Sequence, residues 1–210
     1  MKEKSDSTII LANGSFPKHN NAFSYLTKNN KIICCDGAVD KLKRKNLEPY
    51  KIIGDLDSIS KEAKLKFKLK TIQESNQNFN DLYKALNWCK ENNFSNIVIL
   101  GATGEREDHM LGNIFLLFDF SLFLNIKMYT DNGVFNLISK RTVFKSFKNQ
   151  AGSIFSIDKT ITINSKNLNY PYKNKSLNNL YEGTLNNSIG NEFEIGLSHG
   201  TILVFQQYPN

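Results

Sequence analysis

Short apolar runs alternate with helical patterns throughout the first 140 residues of this chain. The runs lie at Thr8–Ala12, Lys31–Cys35, Ile52–Ile53 and Asn96–Leu100. Between the last two, apolar residues recur at helical spacing from Leu82 to Cys89. Strands that alternate with helices form a mostly parallel sheet covered on both faces. We therefore predict an α/β domain over residues 1–140, with a Rossmann-like, mostly parallel sheet and helices on both faces.

The pattern changes after residue 140. Short β-prone runs, separated by Asn, Gly and Ser turns, follow at Val143–Phe147, Ile154–Ile157, Ile161–Ile163, Phe193–Leu197 and Ile202–Phe205. Because no convincing helical stripe lies among them, these runs predict a small antiparallel β-sandwich. We assign this second domain to residues 141–210.

Composition and charge narrow the class of protein. The 210 residues are 40% hydrophobic, which is enough for a core, and no apolar run reaches the roughly 18 residues that span a bilayer. The polar N-terminus does not resemble a signal peptide. Three cysteines form neither a zinc spacing nor a disulfide framework, which fits a reducing compartment. We expect a cytoplasmic protein without a membrane partner.

The net charge of +7 and the pI of about 9.2 raise the possibility of nucleic-acid binding. Only three of the 27 basic residues are arginines, and the lysines are scattered among asparagines. We therefore expect no nucleic-acid partner. The alternative predicts binding that weakens steeply with salt.

Two carboxylates stand close together in the segment Gly54-Asp-Leu-Asp-Ser58, directly after an apolar run. In an extended or gently turning backbone, Asp55 and Asp57 point to the same side. Carboxylate pairs with a hydroxyl nearby suit Mg²⁺, which uses one or two carboxylates plus substrate phosphates. The alternative interpretation is a solvated acidic turn, which is common.

A second motif, Gly101-Ala-Thr-Gly-Glu-Arg-Glu-Asp-His109, joins an apolar run to an apolar helix. A helix N-terminus preceded by glycines favours phosphate binding, and Arg106 adds a charge-assisted fork. Asp108 could bind a cationic or hydrogen-bond-donating substrate, and His109 could position either ligand. The alternative is an ordinary helix start with acidic residues favoured by the dipole, but that alternative does not call for the arginine.

The helix at Leu82 has its own N-terminal signal. Asn80 fits the N-cap position, and Asp81 then lies in the first turn, where the helix dipole favours it. That structural role alone accounts for Asp81. The functional alternative makes it a further metal or substrate carboxylate at the same sheet edge.

Taken in order, these motifs resemble those of the thiamine pyrophosphokinase family over nearly the whole chain. They are Asn13-Gly14, Asp36-Gly-Ala38, Gly54-Asp-Leu-Asp-Ser58, Asn80-Asp81 and Gly101-Ala-Thr-Gly-x-Arg-x-Asp-His109. In the second half, Leu168-Asn-Tyr-Pro171 and Gly183-Thr-Leu-Asn186 resemble the family's thiamine-binding segments.

The resemblance implies that thiamine's hydroxyl attacks the β-phosphorus of ATP and that AMP leaves. It implies that Mg²⁺ is held by Asp36, Asp55, Asp57 and Asp81. The catalytic residues are then Asp55, Asp57, Asp81 and Arg106. ATP is expected near Asn13, Gly14, Asp36, Gly37, Ser58, Gly104, Arg106 and His109. Thiamine is expected near Gln77, Asp81, Asp108, Leu185 and Asn186. The resemblance also implies a homodimer in which the partner's sandwich completes the thiamine pocket.

Three departures from the family pattern concern the substrate. Asn78 stands where the family has an aspartate, and Leu185 stands where it has a serine. The single tryptophan, Trp88, lies in the first half and not at the C-terminal position where some members stack one on thiamine. Two alternatives therefore remain: a diphosphokinase for another hydroxymethyl heterocycle such as a pterin, and a non-catalytic relative that binds nucleotide or thiamine.

Overall fold

A computed structural model describes residues 7–28 and 30–209. Residues 1–6, part of the N-terminal segment that argued against a signal peptide, lie outside the described residues. The chain divides into two compact units between Asp131 and Asn132. The strand at 133–138, which the sequence boundary at 140/141 placed in the first domain, therefore belongs to the second unit. Within the described residues, no helix combines the length and apolar character needed to cross a bilayer.

The first unit is built on a parallel sheet. Its strands are β1 (Thr8–Leu11), β2 (Ile32–Cys35), β3 (Lys51–Gly54), β4 (Thr71–Gln73), β5 (Asn96–Leu100) and β6 (Asn125–Tyr129). They lie in the order β6-β5-β1-β2-β3-β4, and every neighbouring pair is parallel. The predicted parallel sheet is confirmed.

Among its described residues, this unit contains five α-helices and a short 3-10 helix at Lys68–Lys70. The α-helices are α1 (Asn20–Phe23), α2 (Ala38–Lys43), α3 (Lys61–Lys66), α4 (Asp81–Glu91) and α5 (Glu107–Asp119). Helices α1 to α3 bury apolar residues in one core cluster with Ile9, Leu11 and other strand residues. Because alternate strand residues face opposite sides, Ile10 and Ile33 point to the other face, where α4 contacts β1, β2 and β3. Helices therefore cover both faces of the sheet.

Local sequence signals explain where α4 begins and how it packs. The Asn80 side chain accepts a hydrogen bond from the Tyr83 N–H at 2.9 Å, so the predicted N-cap is confirmed. The predicted apolar stripe is also buried, at Leu82, Ala85, Leu86 and Cys89. These two features fix α4 with its N-terminus at the carboxyl edge of the sheet.

Two helices of this unit differ from what their apolar spacing predicts. The spacing of Ala22, Phe23 and Leu26 predicts a helix from Asn20 to Lys28, but the segment is helical only to Phe23 and continues as turns. In α5, the spacing of Met110, Leu111, Ile114, Phe115 and Phe118 predicts an apolar stripe. Leu111 is nevertheless 53% exposed, whereas Asn113, Leu117 and Phe118 are buried. The reason is that the helix turns a polar residue, Asn113, towards the interior, and Leu111 then faces away.

The second unit is an antiparallel β-sandwich. Its strands are β7 (Gly133–Ile138), β8 (Thr142–Lys145), β9 (Ala151–Phe155), β10 (Ile163–Lys166), β11 (Asn186–Asn187), β12 (Glu192–Leu197) and β13 (Ile202–Gln207). Strands β11-β9-β13-β7 form one antiparallel sheet and β10-β12-β8 another. One buried cluster joins residues of both sheets, among them Ile154, Val204 and Ile195. The predicted sandwich is confirmed.

Candidate functional site

A cavity of about 370 Å³ opens at the carboxyl edge of the parallel sheet in the first unit. The loops after β1, β2, β3 and β5 line it, together with the N-terminus of α4, as expected for an open α/β sheet. Ten of the predicted site residues line it: Asn13, Gly14, Asp36, Asp55, Asp57, Ser58, Gln77, Asp81, Arg106 and His109. Gly37, Gly104 and Asp108 belong to the same segments but do not line the cavity.

The loops after β1 and β5 approach each other very closely. A Cβ atom added to Gly14 would lie 2.5 Å from the carbonyl oxygen of Gly101, so a side chain does not fit there. The Lys41 ammonium, on α2, donates to the carbonyl oxygens of Asn13 and Gly14, both at 2.7 Å, and to Glu105 at 3.0 Å. Lys41 thus holds the β1 loop against the β5 loop.

Three carboxylates converge in the cavity. Ligand oxygens of Asp36, Asp55 and Asp57 all lie within 4.8 Å of one another. Their backbone explains the convergence: Leu56, between the two aspartates, has a φ of 69°, and Asp36 has a φ of 42°. Both values are left-handed, a conformation that aspartate tolerates but that is strained for leucine. The buried Leu56 side chain anchors its turn in the core. Asp55 and Asp57 therefore meet through a tight turn and not along an extended strand.

Asp36 is the most deeply buried member of the cluster. The residue is 2% exposed, its Oδ2 accepts from the Ser58 N–H at 3.1 Å, and its Oδ1 is buried without a hydrogen-bond partner. Burial raises the pKa of Asp36, and the charges of Asp81 and Asp55 raise it further, against the bonds from Ser58. An unpartnered carboxylate oxygen in this position is suited to a cation.

Asp55 is held by the segment that precedes α4. The Gln77 side-chain amide donates to Asp55 Oδ2 at 3.0 Å, and the Asp57 N–H lies 3.3 Å from Oδ1. The bond from Gln77 is the main cause that lowers the pKa of Asp55. Asp55 is therefore an ionised acceptor. Gln77 was predicted near thiamine, and in the structure its side-chain amide bonds to this carboxylate.

Asp81 lies beside this cluster, outside the set of three converging carboxylates. A Cβ atom at Gly54 would lie 3.1 Å from Asp81 Oδ1, so the glycine makes room for the carboxylate. Asp81 Oδ1 accepts from the Lys84 ammonium at 3.2 Å. Burial raises the pKa of Asp81, while Lys84 opposes that effect. The role of Asp81 as a metal ligand stays a prediction.

Arg106 and Asp108 are bonded to each other. The guanidinium donates twice to the carboxylate, from Nε at 3.1 Å and from Nη2 at 2.6 Å, and both side chains are largely exposed. These bonds lower the pKa of Asp108 to about 2. Arg106 was predicted to bind phosphate, and Asp108 was predicted to bind the substrate. For either role, the bonds between Arg106 and Asp108 must break so that each side chain can bind its ligand.

Two polar residues of the site lie outside the motifs that the sequence analysis identified. Lys84 lines the cavity, and its signal was a lysine three residues after Asp81, beside the apolar stripe of α4. Asn113, on α5, accepts from the Asn80 amide at 3.0 Å and donates to the Ala102 carbonyl at 2.9 Å. Its signal was an asparagine in an otherwise apolar stretch. Asn113 ties the start of α4 to the loop after β5.

The two residues of the second unit that were predicted to bind thiamine differ in exposure. Leu185 is 86% exposed and has a left-handed φ of 66°. Asn186 is buried; its amide donates to the Tyr170 carbonyl at 2.7 Å and accepts from the Tyr170 N–H at 3.1 Å. The amide of Asn186 thus holds the turn at Tyr170, and of these two residues it is Leu185 that is exposed.

Comparisons with protein families assign both units. Residues 23–130 match the family model described as "Thiamin pyrophosphokinase, catalytic domain". Residues 133–205 match the model described as "Thiamin pyrophosphokinase, substrate-binding domain". The two matches follow the division into an α/β unit and a sandwich.

Individual relatives agree with these matches. The chain is 37% identical over 97 residues to thiamin pyrophosphokinase 1 of Caenorhabditis elegans, which is 42% of this chain and 40% of that protein. It is 35% identical over 74 residues to the thiamine pyrophosphokinase of Bacillus subtilis, which is 33% of this chain and 35% of that protein. The aligned part thus spans less than half of either relative.

Solved structures share the fold. The crystal structure of thiamine pyrophosphokinase from Bacillus subtilis superimposes with a TM-score of 0.80 at 20% identity, covering 97% of this chain and all of that one. The yeast thiamin pyrophosphokinase structure gives a TM-score of 0.79 at 18% identity, covering 99% of this chain and 88% of that one.

Proposed function

This chain belongs to the thiamin pyrophosphokinase family, and from that premise we propose that it transfers a diphosphoryl group from ATP to the hydroxyl of thiamine. The products are thiamine diphosphate and AMP. The observation that carries the proposal is the convergence of Asp36, Asp55 and Asp57 at the carboxyl edge of a parallel sheet. Transfer of this kind depends on positioning and on neutralising phosphate charge.

The carboxylate cluster fits Mg²⁺. Its donors are all oxygens, which Mg²⁺ prefers, and the unpartnered, buried Asp36 Oδ1 is an acceptor that a cation would satisfy. Asp36, Asp55 and Asp57 are the proposed ligands, with Asp81 as a fourth. The chemistry that the ion supplies when bound is neutralisation of charge on the phosphate oxygens.

Other residues bind the nucleotide directly. Arg106 can offer its guanidinium to phosphate oxygens once it leaves Asp108. The N-terminus of α5, with its free N–H groups, provides further donors beside His109 and Ser58. Asn13 and Gly14, held in place by Lys41, border the same cavity. These contacts hold the phosphates in line for attack without forming a covalent bond to the protein.

The acceptor is a cation, and acidic residues can bind it. Asp108 becomes available when Arg106 turns to the phosphates, and Asp81 is a carboxylate that lines the cavity. We include Leu185 and Asn186 of a second copy of the chain in the thiamine pocket, since Leu185 is exposed within its own unit. The proposal therefore includes a homodimer, acting in the cytoplasm.

The reaction forms one bond and breaks one. The thiamine hydroxyl oxygen bonds to the β-phosphorus of ATP, and the bond from that phosphorus to the oxygen of the α-phosphate breaks. AMP keeps that oxygen, and the hydroxyl proton passes to solvent or to a base that we do not assign.

A product assay tests the proposal. Purified protein is incubated with Mg-ATP and thiamine, and AMP, ADP and thiamine diphosphate are quantified, with Asp119→Asn on the exposed end of α5 as the control variant. Equal amounts of AMP and thiamine diphosphate without ADP are expected. Turnover of a pterin alcohol in place of thiamine would contradict the proposal that thiamine is the acceptor. Tight ATP binding without any product would contradict the proposed enzymatic activity.

A further inference from the structure

Lys84 is a buried cation with unused hydrogen-bond donors. Its side chain is 4% exposed, and its ammonium donates to Asp81 Oδ1 at 3.2 Å. An ammonium group carries three donors. Within residues 7–28 and 30–209, Asp81 is the one group that accepts a hydrogen bond from Lys84. Burying a charge with so few partners is costly, so a further anionic partner is expected.

The position of Lys84 indicates where that partner lies. Lys84 lies in the first turn of α4 and lines the carboxylate cavity. The positive end of the α4 dipole and the free N–H groups of its first turn are at the same place. Lys84 and the helix end therefore offer positive charge beside the proposed metal site.

The other basic groups near the cavity are already bonded. Arg106, the one further lysine or arginine among the described lining residues, donates twice to Asp108. Lys41 uses its three donors on Asn13, Gly14 and Glu105. Arg106 keeps three of its five N–H donors but is largely exposed, whereas Lys84 is a buried cation with unused donors. Phosphate oxygens are the anionic acceptors of the proposed reaction.

We infer that Lys84 is a catalytic residue that binds an oxygen of the nucleotide's phosphates beyond the α-phosphate. The inference rests on the proposed function, which supplies a nucleotide with such phosphates. Lys84 stays paired with Asp81, and its remaining donors hold the group that is transferred. Its charge is in place before the ligands bind, so it costs little reorganisation during the reaction.

Nucleotide binding separates this role from a purely structural one. Isothermal titration in Mg²⁺ compares ADP with AMP for wild type, Lys84→Met, Lys84→Arg and the control Lys90→Met, an exposed lysine on the same helix. We expect Lys84→Met to weaken ADP binding about 10- to 100-fold, which is the range for a hydrogen bond to a charged group. AMP affinity should stay within about twofold, since AMP lacks the contacted phosphate. Lys84→Arg should keep much of the ADP affinity, and Lys90→Met all of it.

Equal weakening for both nucleotides, or no weakening, would overturn the inference. If Lys84→Met does not fold, the wild-type protein labelled with ¹⁵N-lysine serves instead. The Lys84 ammonium resonance should then shift with ADP and not with AMP, and an identical response to both would contradict the role. Neither experiment needs thiamine or turnover, so failure of the product assay and failure of this inference are distinguishable.

Discussion

The carboxylate cavity of the first unit and the Tyr170–Asn186 turn of the second unit are built in opposite ways. In the cavity, the charged side chains of Asp36 and Lys84 are buried before any ligand arrives, and Leu56, a left-handed residue anchored in the core, holds the turn between Asp55 and Asp57. At the turn, the buried amide of Asn186 is hydrogen-bonded to the backbone of Tyr170, and the apolar side chain of Leu185 is exposed.

This difference indicates which part is prepared for chemistry. A site with buried, fixed charges is organised in advance for phosphate and metal, at a cost in stability. The turn provides shape and apolar surface, and its proposed contribution depends on what covers Leu185. We therefore expect substitutions in the cavity to lower the reaction rate strongly, and substitutions in the turn to change the binding of the acceptor, thiamine.

The largest expected effect is the loss of enzymatic turnover when a carboxylate of the first unit's cavity is replaced. Asp55→Asn should lower kcat/KM by about 100- to 1000-fold or more, because a charged ligand of the phosphate-neutralising site is lost. Steady-state kinetics measure the change, and circular dichroism checks the fold. Asp119→Asn is the control and should behave as wild type. Near-full activity of Asp55→Asn would remove the proposed contrast between the two regions.

Mixing variants tests whether the turn acts on a second chain. Asp57→Asn should be inactive, and Leu185→Arg should repel the cationic acceptor. Random exchange between two-fold dimers should restore activity to about a quarter of wild type in an equal mixture, because half of the dimers regain one intact site. A mixture no more active than its components would place both regions of each site in one chain.

Stability should respond to pH at Asp36. Burial raises its pKa above the ordinary 3.8, so its contribution to stability is present below that value and is lost as pH rises through the raised pKa. In EDTA, Asp36→Asn should match wild type near pH 3.8 and be more stable at pH 7. Chemical denaturation at both pH values measures this difference. A variant that is less stable at pH 7 would show that Asp36 is not strained without a cation.

The smallest expected effect concerns Trp88. This residue stacks on Phe94 at 5.5 Å and lines a separate cavity of about 210 Å³ beside α4, not the carboxylate cavity. Thiamine should therefore barely change its fluorescence. N-acetyltryptophanamide with the same thiamine concentrations corrects for absorption. Strong quenching beyond that control would place thiamine against α4 and not at the predicted pocket.

Sequence patterns predicted the elements and much of the cavity. The parallel sheet and the Asn80 cap followed from local periodicity and spacing, and the predicted convergence of Asp55 with Asp57 is present, although a turn and not an extended backbone produces it. The sequence did not show the left-handed turn at Leu56, because bulky residues rarely adopt it and only core packing enforces it.

Tertiary contacts also decide the roles that the sequence missed. The sequence alone gives no reason to expect that Lys84 is buried, but in the structure its side chain is buried beside Asp81. Arg106 and Asp108 were predicted to bind different ligands. In the structure these two residues, which are two positions apart in the sequence, are hydrogen-bonded to each other. Asn186 matched a substrate segment, but its amide bonds to Tyr170, sixteen positions earlier in the sequence.

Divalent-ion binding is the most direct test of the carboxylate cavity. Electron paramagnetic resonance measures free Mn²⁺, as a substitute for Mg²⁺, during titration of wild type, Asp57→Asn and Asp119→Asn in the presence of ADP. We expect Asp57→Asn to weaken binding by at least about tenfold, since a proposed ligand is lost, and Asp119→Asn to match wild type. Equal Mn²⁺ affinity in all three proteins would contradict a metal site at Asp36, Asp55 and Asp57.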